Sequence, residues 1–151
     1  MVLAGQAINE ALGILRPHIE KQNVRPVGKI VVGTVEGDIH DIGKNILIMF
    51  LESRGFAAID LGVDVSVEDF VRAVEKHKPQ VLAMSALMTH TIPVMGVVIK
   101  RLEEVGLREK VKVIIGGAPT TPEFGESIRV DYQTTDPLRG VEKCLEWIGT
   151  K

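Results

Sequence analysis

The side chains best suited to chemistry in this sequence lie in one short segment, with Asp38, His40 and Asp41 followed by Gly43. A neutral imidazole nitrogen is a good transition-metal ligand, and a carboxylate two residues away can accept a hydrogen bond from the other ring nitrogen. Such a hydrogen bond fixes the ring's tautomer and raises the basicity of the free nitrogen. The pattern D-x-H-x-x-G thus indicates a candidate metal ligand, although by itself it also fits a histidine with a purely structural role.

The elements around this segment place it at the edge of a sheet. Residues 30–32 form a short apolar run between two glycines, which is typical of a buried strand. After Gly43, apolar residues recur at helical spacing over 46–51. A strand-loop-helix unit holds its loop outside the carboxyl end of the strand, where open α/β sheets bind ligands. Position and chemistry therefore indicate the same segment as the functional site.

Composition is that of an ordinary globular protein. The chain has 151 residues, 45% of them hydrophobic and 25% charged, which fits one domain with a sizeable core. The net charge of −2 lacks the basic excess that nucleic acid or an anionic membrane attracts. Cys144 is the only cysteine, so an internal disulfide is impossible. Without a basic leader or an apolar run of about 18 residues, we expect a cytoplasmic protein with no nucleic-acid or membrane partner.

Strand and helix patterns alternate from residue 29 to the end of the chain. The predicted strands are 30–34, 56–61, 81–85, 111–115 and 131–133, and the predicted helices are 42–54, 66–77, 93–106, a short one after Pro122, and 137–148. This alternation indicates an α/β fold with a parallel sheet covered on both faces. Five units favour the flavodoxin-like (Rossmann-like) doubly wound order 2-1-3-4-5, which brings Ser85 beside the loop after strand 1.

An amphipathic helix precedes the alternating part. Its apolar stripe, within residues 4–22, consists of Ile8, Leu12, Leu15 and Ile19. Pro17 predicts a kink or a break of this helix near Arg16. The predicted organisation is therefore an appended N-terminal helix and linker at 1–27, followed by one domain at 28–151.

Three other kinds of site could be built from the same loop. Residues 37–44 fit the phosphate-binding pattern G-x-x-x-x-G-K, but Asn45 follows where a serine or threonine should hold magnesium. The loop's two carboxylates would also repel an anion, at a cost of about 1–4 kcal/mol. A phosphoryl-accepting receiver domain needs an aspartate at the end of strand 3, where this chain has Ser85. A metal site made only of the loop's imidazole and two carboxylates has poor geometry for a closed coordination shell.

Three sequence elements, each at the end of a predicted strand, resemble a known family. They are D-x-H-x-x-G at 38–43, S-x-L at 85–87 and G-G at 116–117. Together they are similar to the cobalamin-binding domain shared by corrinoid methyltransferases and some mutases. The resemblance covers about residues 28–124 and is greatest to the corrinoid proteins of methyltransferase systems, which are similar to the cobalamin domain of methionine synthase.

This resemblance implies a site for cobalamin or a related corrinoid. His40 would be the axial ligand of cobalt in place of the cofactor's own benzimidazole, with Asp38 and Ser85 forming a hydrogen-bonded relay behind it. The cofactor's nucleotide tail would enter a slot between the strands. Lys44 is expected either near the tail phosphate or in solvent. The cofactor-binding residues implied are Asp38, His40, Asp41, Ile42, Gly43, Ser85, Leu87, Thr89, Gly116 and Gly117.

The resemblance also implies a function. A corrinoid protein of this kind carries a methyl group on cobalt from a donor-specific methyltransferase to an acceptor methyltransferase, as a carrier subunit rather than a complete enzyme. The implied donors are methylamines, methanol or methoxylated aromatics, the implied acceptors are coenzyme M or tetrahydrofolate, and a reductive activase is a further candidate partner. The alternative is the small subunit of an adenosylcobalamin-dependent mutase. The helix at 4–22 resembles the last helix of the family's cap bundle, whereas residues 126–140 differ from the family's usual strand and loop.

Overall fold

The computed structural model describes residues 2–20 and 25–149. Its strands are β1 (Lys29–Thr34), β2 (Ala57–Asp60), β3 (Val81–Ser85), β4 (Lys112–Gly116) and β5 (Tyr132–Gln133). They form one parallel sheet in the order β2-β1-β3-β4-β5. The predicted fold class and strand order are therefore confirmed. Strand β1 lies between β2 and β3, so the order in which strands are added to the sheet reverses at β1. At such a point a crevice opens between the loops that follow β1 and β3.

Six α-helices accompany the sheet in the described part of the chain. They are α1 (Val2–Glu20), α2 (Ile42–Ser53), α3 (Val67–His77), α4 (Ile92–Glu104), α5 (Pro122–Ser127) and α6 (Pro137–Ile148). The predicted break near Arg16 does not occur, because α1 continues through Pro17. A proline removes one helical hydrogen bond, and only one turn of α1 follows it. The predicted end of this helix at residues 21 and 22, and the side chains of Leu12 and Ile19, lie outside the described residues.

Successive residues of each strand point to opposite faces of the sheet and build two core clusters. The cluster against α3 and α4 includes Val31, Phe70, Leu82, Met95 and Val113. The cluster against α2 and α6 includes Val32, Ile48, Ala83, Ile114 and Val141. Sheet faces covered on both sides explain why the strands read as continuous apolar runs. The second face matters for function because the cleft described below opens on it.

The N-terminal helix packs on α2. A Cβ built on Gly5 would lie 3.3 Å from Ile42 Cδ1, and the Asn45 side chain donates a hydrogen bond to Asn9 Oδ1 over 2.8 Å. The division into 1–27 and 28–151 remains a prediction. Within the described residues, no helix has the length and apolar content needed to cross a membrane.

Candidate functional site

The loop between β1 and α2 is held from both sides. The Val35 amide donates to the Ser85 carbonyl over 3.0 Å, and the Asp64 amide donates to the Asp38 carbonyl over 2.9 Å. The Asp64 carboxylate in turn accepts from the Gly37 amide over 2.7 Å. Ser85 ends β3 and Asp64 follows β2, so both neighbours of β1 contribute. The loop is therefore fixed in place by the sheet order itself.

Asp38 and His40 form a hydrogen-bonded pair within this loop. Asp38 Oδ1 lies 2.7 Å from His40 Nδ1 and also accepts the His40 amide over 3.0 Å. The Thr34 hydroxyl donates to the His40 carbonyl over 3.0 Å, which fixes the backbone as well. The Asp38 side chain is fully buried, whereas that of His40 is 48% exposed. When Nδ1–H donates to the carboxylate, Nε2 keeps its lone pair on an accessible ring, as a metal ligand requires.

The second oxygen of Asp38 is bound by the segment after β3. Asp38 Oδ2 accepts the Leu87 amide over 2.7 Å and the Met88 amide over 3.0 Å. Thr91 Oγ1 lies 3.1 Å from the same oxygen and 2.8 Å from the Met88 carbonyl oxygen, so its one hydrogen is shared between these two acceptors. Burial raises the pKa of Asp38, but the amide and imidazole hydrogen bonds outweigh it and hold that pKa well below its usual range. The carboxylate is therefore ionised at neutral pH and remains an acceptor for the His40 ring.

The hydroxyl that reaches Asp38 belongs to Thr91 rather than to Ser85. Ser85 lines the neighbouring cleft, and among the described residues no hydrogen bond joins its side chain to Asp38. Where the hydroxyl of Ser85 was predicted, the structure places Thr91 Oγ1 3.1 Å from Asp38 Oδ2, because the chain turns back over Asp38 after β3. The sequence offered one signal for Thr91, its position at the predicted start of a helix. In the structure Thr91 is the N-cap residue of α4, but its hydroxyl does not cap that helix.

A largely apolar cleft of about 370 Å³ opens beside His40. It lies between the carboxyl ends of β1, β3 and β4 on one side and helices α2 and α6 on the other. Eight of the ten predicted cofactor-binding residues line it: His40, Asp41, Ile42, Gly43, Ser85, Leu87, Gly116 and Gly117. Asp38 lies behind His40 instead, and Thr89 is an exposed turn residue outside the lining. Most of the predicted residues are thus brought to one cavity.

Sequence reasoning missed two groups of cleft residues. One is the loop from β5 to α6, which contributes Thr134, Thr135, Asp136 and Pro137. The other is the deep wall, formed by Val32, Leu47, Ala83, Ile114 and Gly140. The β5 loop could have been included, because every strand of a parallel sheet ends at the same edge. The deep wall carries no distinctive residue type and could not have been separated from ordinary core.

Glycine occurs at positions 117 and 43 of the site for different physical reasons. Gly117 has φ +117°, and a Cβ there would lie 1.8 Å from the Ala86 carbonyl oxygen, so packing within the protein already requires glycine. By contrast, a Cβ on Gly43, which lines the cleft, would have no atom within 4 Å apart from its chain neighbours and the backbone of its own helix. An accessible imidazole ligand, an open mouth and apolar walls fit a large flat cofactor whose metal needs one nitrogen from the protein.

Lys44 is buried, so the expectation that it lies in solvent is wrong. Its side chain is 3% exposed, and its ammonium nitrogen lies 2.9 Å from both carboxylate oxygens of Asp60. Its charge is therefore paired with a carboxylate, which argues against the G-x-x-x-x-G-K alternative. Lys44 also lines the cleft beside His40, and its expected placement near the tail phosphate stays a prediction. In the described part of the chain, no group of three or more His, Cys, Asp or Glu side chains is arranged to hold a metal ion.

Comparisons with known proteins identify the family of this chain. The family model described as "B12 binding domain" matches residues 28–141. The chain is 39% identical over 150 residues to trimethylamine corrinoid protein 1 of Methanosarcina acetivorans, an alignment that covers 96% of this chain and 69% of that relative.

Solved structures show the same relationship. The monomethylamine corrinoid protein of Methanosarcina barkeri has a TM-score of 0.80 and 36% identity, over 96% of this chain and 69% of that one. The methanol:cobalamin methyltransferase complex MtaBC from Methanosarcina barkeri matches with a TM-score of 0.80 and 28% identity, over 99% of this chain and 57% of that one. The chain belongs to the B12-binding domain family, among its corrinoid proteins, and its cofactor is cobalamin or a related corrinoid.

Proposed function

We propose that this protein carries a methyl group on the cobalt of its corrinoid between two methyltransferases. The observation that carries the proposal is the accessible His40 ring, oriented by a buried, ionised Asp38 at the mouth of an apolar cleft. The relatives are named for trimethylamine and monomethylamine, and one similar structure is a methyltransferase complex. These relatives favour a methyl carrier over the mutase subunit that remained as the alternative.

Each member of the Asp38 network has a distinct role in this proposal. His40 Nε2 would bind cobalt, Asp38 would keep the proton on Nδ1, and Thr91 would support the carboxylate at its other oxygen. When bound, the corrinoid would supply the methyl-transfer chemistry through its cobalt. When the coordination of cobalt changes during methyl transfer, the His40–Asp38 pair can hold or release a proton.

The exposed residues around His40 suggest how partners reach the cofactor. Ile39 is 73% exposed, and Ile42 and Leu87 are also exposed at the cleft mouth. Exposed apolar side chains around a cleft favour contact with a flat ligand or a second protein. We infer a methylamine-type donor from the names of the relatives. The acceptor, coenzyme M or tetrahydrofolate, the reductive activase and a cytoplasmic location stay predictions.

Reconstitution with cofactor tests the axial-ligand assignment. The purified chain is mixed separately with methylcobalamin and adenosylcobalamin, desalted, and recorded by visible spectroscopy. We expect retained corrinoid with the spectrum of a protein imidazole ligand. His40→Ala should lose this spectral signature, whereas His90→Ala, a change at an exposed histidine of a nearby loop, should keep it. An unchanged spectrum in His40→Ala would contradict the ligand assignment.

A second measurement separates a methyl carrier from a mutase subunit. The loaded chain is reduced, mixed with methylamine and a methylamine-specific corrinoid methyltransferase, and followed by its visible spectrum. A carrier should regain the methylated spectrum, and should retain methylcobalamin at least as well as adenosylcobalamin. Strong preference for adenosylcobalamin together with no remethylation would instead support the mutase subunit.

A further inference from the structure

The segment between β2 and α3, residues 61–66, runs beside the β1–α2 loop. The Thr34 amide donates to the Gly62 carbonyl, and the Val65 amide donates to the Thr34 carbonyl, each over 3.0 Å. Val65 also forms an isolated parallel bridge with Val35. The parallel pairing of β1 with β2 thus continues beyond the ends of both strands. The segment therefore supports the β1–α2 loop from the β2 side of the sheet.

Asp64, within this segment, makes two hydrogen bonds to consecutive residues of the β1–α2 loop. Its amide donates to the Asp38 carbonyl over 2.9 Å, and its Oδ1 atom accepts from the Gly37 amide over 2.7 Å. One residue therefore holds the peptide between Gly37 and Asp38 from both ends. Because the Asp38 carboxylate binds the amide and the ring of His40, a shift of this peptide would move the acceptor of the ring. Asp64 thus reaches His40 through Asp38.

The backbone of Asp64 has a conformation that few residues other than glycine adopt. Its φ of +52° lies in the left-handed region. Lys78 and Arg129 also have positive φ, but they lie at the ends of α3 and α5, and a left-handed residue is a common way to end a helix. Asp64 lies between β2 and Ser66, the N-cap of α3, so no helix end explains its conformation. A strained backbone costs free energy, and such residues cluster at functional sites.

A role in stabilising α3 or the core does not account for Asp64. Ser66 caps α3 by accepting the Asp69 amide over 3.2 Å, so the Asp64 carboxylate is not needed at that helix. The Asp64 side chain is exposed and belongs to neither core cluster. Among the hydrogen bonds of the described residues, its carboxylate has one partner, the Gly37 amide. The contacts of this side chain are therefore directed at the β1–α2 loop.

We propose that Asp64 is a positioning residue for the cobalt ligand. Its carboxylate holds the β1–α2 loop in the conformation that sets Asp38 behind the His40 ring. Aspartate suits this position, because its short side chain can return to a nearby amide and because it tolerates the left-handed region better than most residues. The inference rests on the proposed function, since it takes His40 as the axial ligand of cobalt.

Amide hydrogen exchange in the apo chain tests the positioning role without cofactor. Asp64→Ala removes the acceptor of the Gly37 amide, and the probe is the His40 amide, which bonds to Asp38 and not to Asp64. We expect the His40 amide to exchange about two- to tenfold faster, the range for one lost hydrogen bond. The Leu82 amide in the central strand β3 is the internal reference. An equal increase at His40 and Leu82, or no increase at His40, would overturn the proposal.

Two further variants separate the carboxylate from the backbone conformation. Asp64→Asn keeps an oxygen acceptor and a residue that tolerates positive φ, so it should behave like the parent chain. Asp64→Gly adopts positive φ without strain but has no acceptor. We therefore expect it to exchange at His40 as fast as Asp64→Ala, even with a higher melting temperature. Exchange at the parent rate in Asp64→Gly would overturn the role of the carboxylate.

The visible spectrum of the chain loaded with methylcobalamin connects the ring's position to cobalt. The ratio of imidazole-ligated to unligated cofactor should fall about two- to tenfold in Asp64→Ala and Asp64→Gly and stay near the parent value in Asp64→Asn. The matched control is Asp69→Ala, at another exposed carboxylate, which accepts from Ser66 and Arg72, and it should leave the ratio unchanged. A parent chain without imidazole ligation would overturn both the ligand assignment and this proposal. Parent ratios in every Asp64 variant would overturn the positioning role alone.

Discussion

Asp38 combines full burial with a negative charge because each carboxylate oxygen has strong donors. Oδ1 is bound by the amide and ring of His40, and Oδ2 by the segment that follows β3. An uncompensated buried charge would be costly, and hydrogen bonds from backbone amides offset that cost. The result is a carboxylate that stays ionised and keeps the exposed imidazole in one orientation. The hydrogen bonds and charge of Asp38 therefore fix the orientation of the His40 ring.

Thr91→Val should weaken the hydrogen-bond network of Asp38, because it removes a hydroxyl 3.1 Å from Asp38 Oδ2 and 2.8 Å from the Met88 carbonyl oxygen while keeping the side-chain shape. We expect the free energy of unfolding to fall by about 1–2 kcal/mol. The visible spectrum of the cobalamin-loaded variant at pH 7 should also show a smaller fraction of the imidazole-ligated form. Ser85→Ala is the matched control at the cleft mouth and should leave that fraction nearly unchanged. A larger loss in Ser85→Ala would support the relay predicted with Ser85.

Only some of the contacts made by Asp38 could be predicted from sequence spacing. Asp38 and His40 are two residues apart, so their contact depends on local loop geometry and could be predicted. Thr91 is 53 positions from Asp38 and meets it only because β3 pairs with β1. No pattern within the loop could select this hydroxyl over Ser85, which lies closer to the predicted strand end.

Helix α2 is anchored at its start by a buried ion pair. Lys44 is covered on all sides, whereas the Asp60 side chain at the end of β2 is 26% exposed. Asn45 accepts a hydrogen bond from the Lys44 ammonium over 2.7 Å and in turn donates to Asn9 of α1. This polar chain connects the end of β2, the start of α2 and the N-terminal helix. It therefore ties α1 to the element that begins immediately after His40.

Substitutions of Asp60 and of Lys44 should lower the free energy of unfolding by different amounts. Asp60→Asn leaves the Lys44 ammonium buried without its counter-charge, and we expect the free energy of unfolding to fall by about 2–4 kcal/mol. Lys44→Met replaces the ammonium with an apolar chain and should cost less, since Asp60 can reach water. Lys112→Met, in an exposed pair with Asp131, should cost about 0–1 kcal/mol. Chemical denaturation measures all three, and a greater loss in Lys44→Met would contradict this account.

Asp131 fastens the loop before β5 to β4. Burial raises the pKa of Asp131, but hydrogen bonds from the Val113 amide, Lys112 and Arg108 outweigh it and lower that pKa. Since the folded-state pKa lies below the unfolded-state value of about 3.9, this carboxylate stabilises the fold above that pH. Its contribution is lost as the pH falls through the folded-state pKa.

Asp131→Asn should therefore lower the free energy of unfolding at pH 7 by about 1–2 kcal/mol. Its difference from the parent protein should begin to shrink below about pH 4, where Asp131 becomes protonated in the unfolded chain, and should vanish only after the pH has fallen through the lower folded-state pKa. Denaturant unfolding between pH 3 and pH 7 measures the difference. Glu142→Gln, at an exposed position of α6, is the control and should show little change. A difference that stays constant across this pH range would contradict the proposed charge effect.

At the scale of the whole molecule, one cavity is assembled from distant parts of the chain. The cleft takes residues from β1, β3 and β4, from helices α2 and α6, and from the loop before α6. A ligand that fills it contacts both ends of the domain at once. Binding should therefore stabilise the fold as a unit rather than one loop.

Corrinoid binding should raise the melting temperature of the whole chain. Cobalamin at about 100 times its dissociation constant contributes about 2.7 kcal/mol, which corresponds to a rise of about 5–10 °C for a protein of this length. Cobinamide at the same concentration should give a smaller rise, because it lacks the tail that enters the cleft. Differential scanning calorimetry measures both. Equal shifts for the two compounds would contradict a contribution from the cleft.

The alternation of strands and helices, the loop that carries Asp38 and His40, and the sheet order could all be read from sequence. Each depends on local periodicity or on the few topologies open to a parallel sheet. The pairing of Thr91 with Asp38, the burial of Lys44 against Asp60 and the depth of the cleft below Ser85 were decided only by the tertiary structure. These features join residues from separate elements, and their positions depend on how strands and helices pack rather than on neighbouring residues.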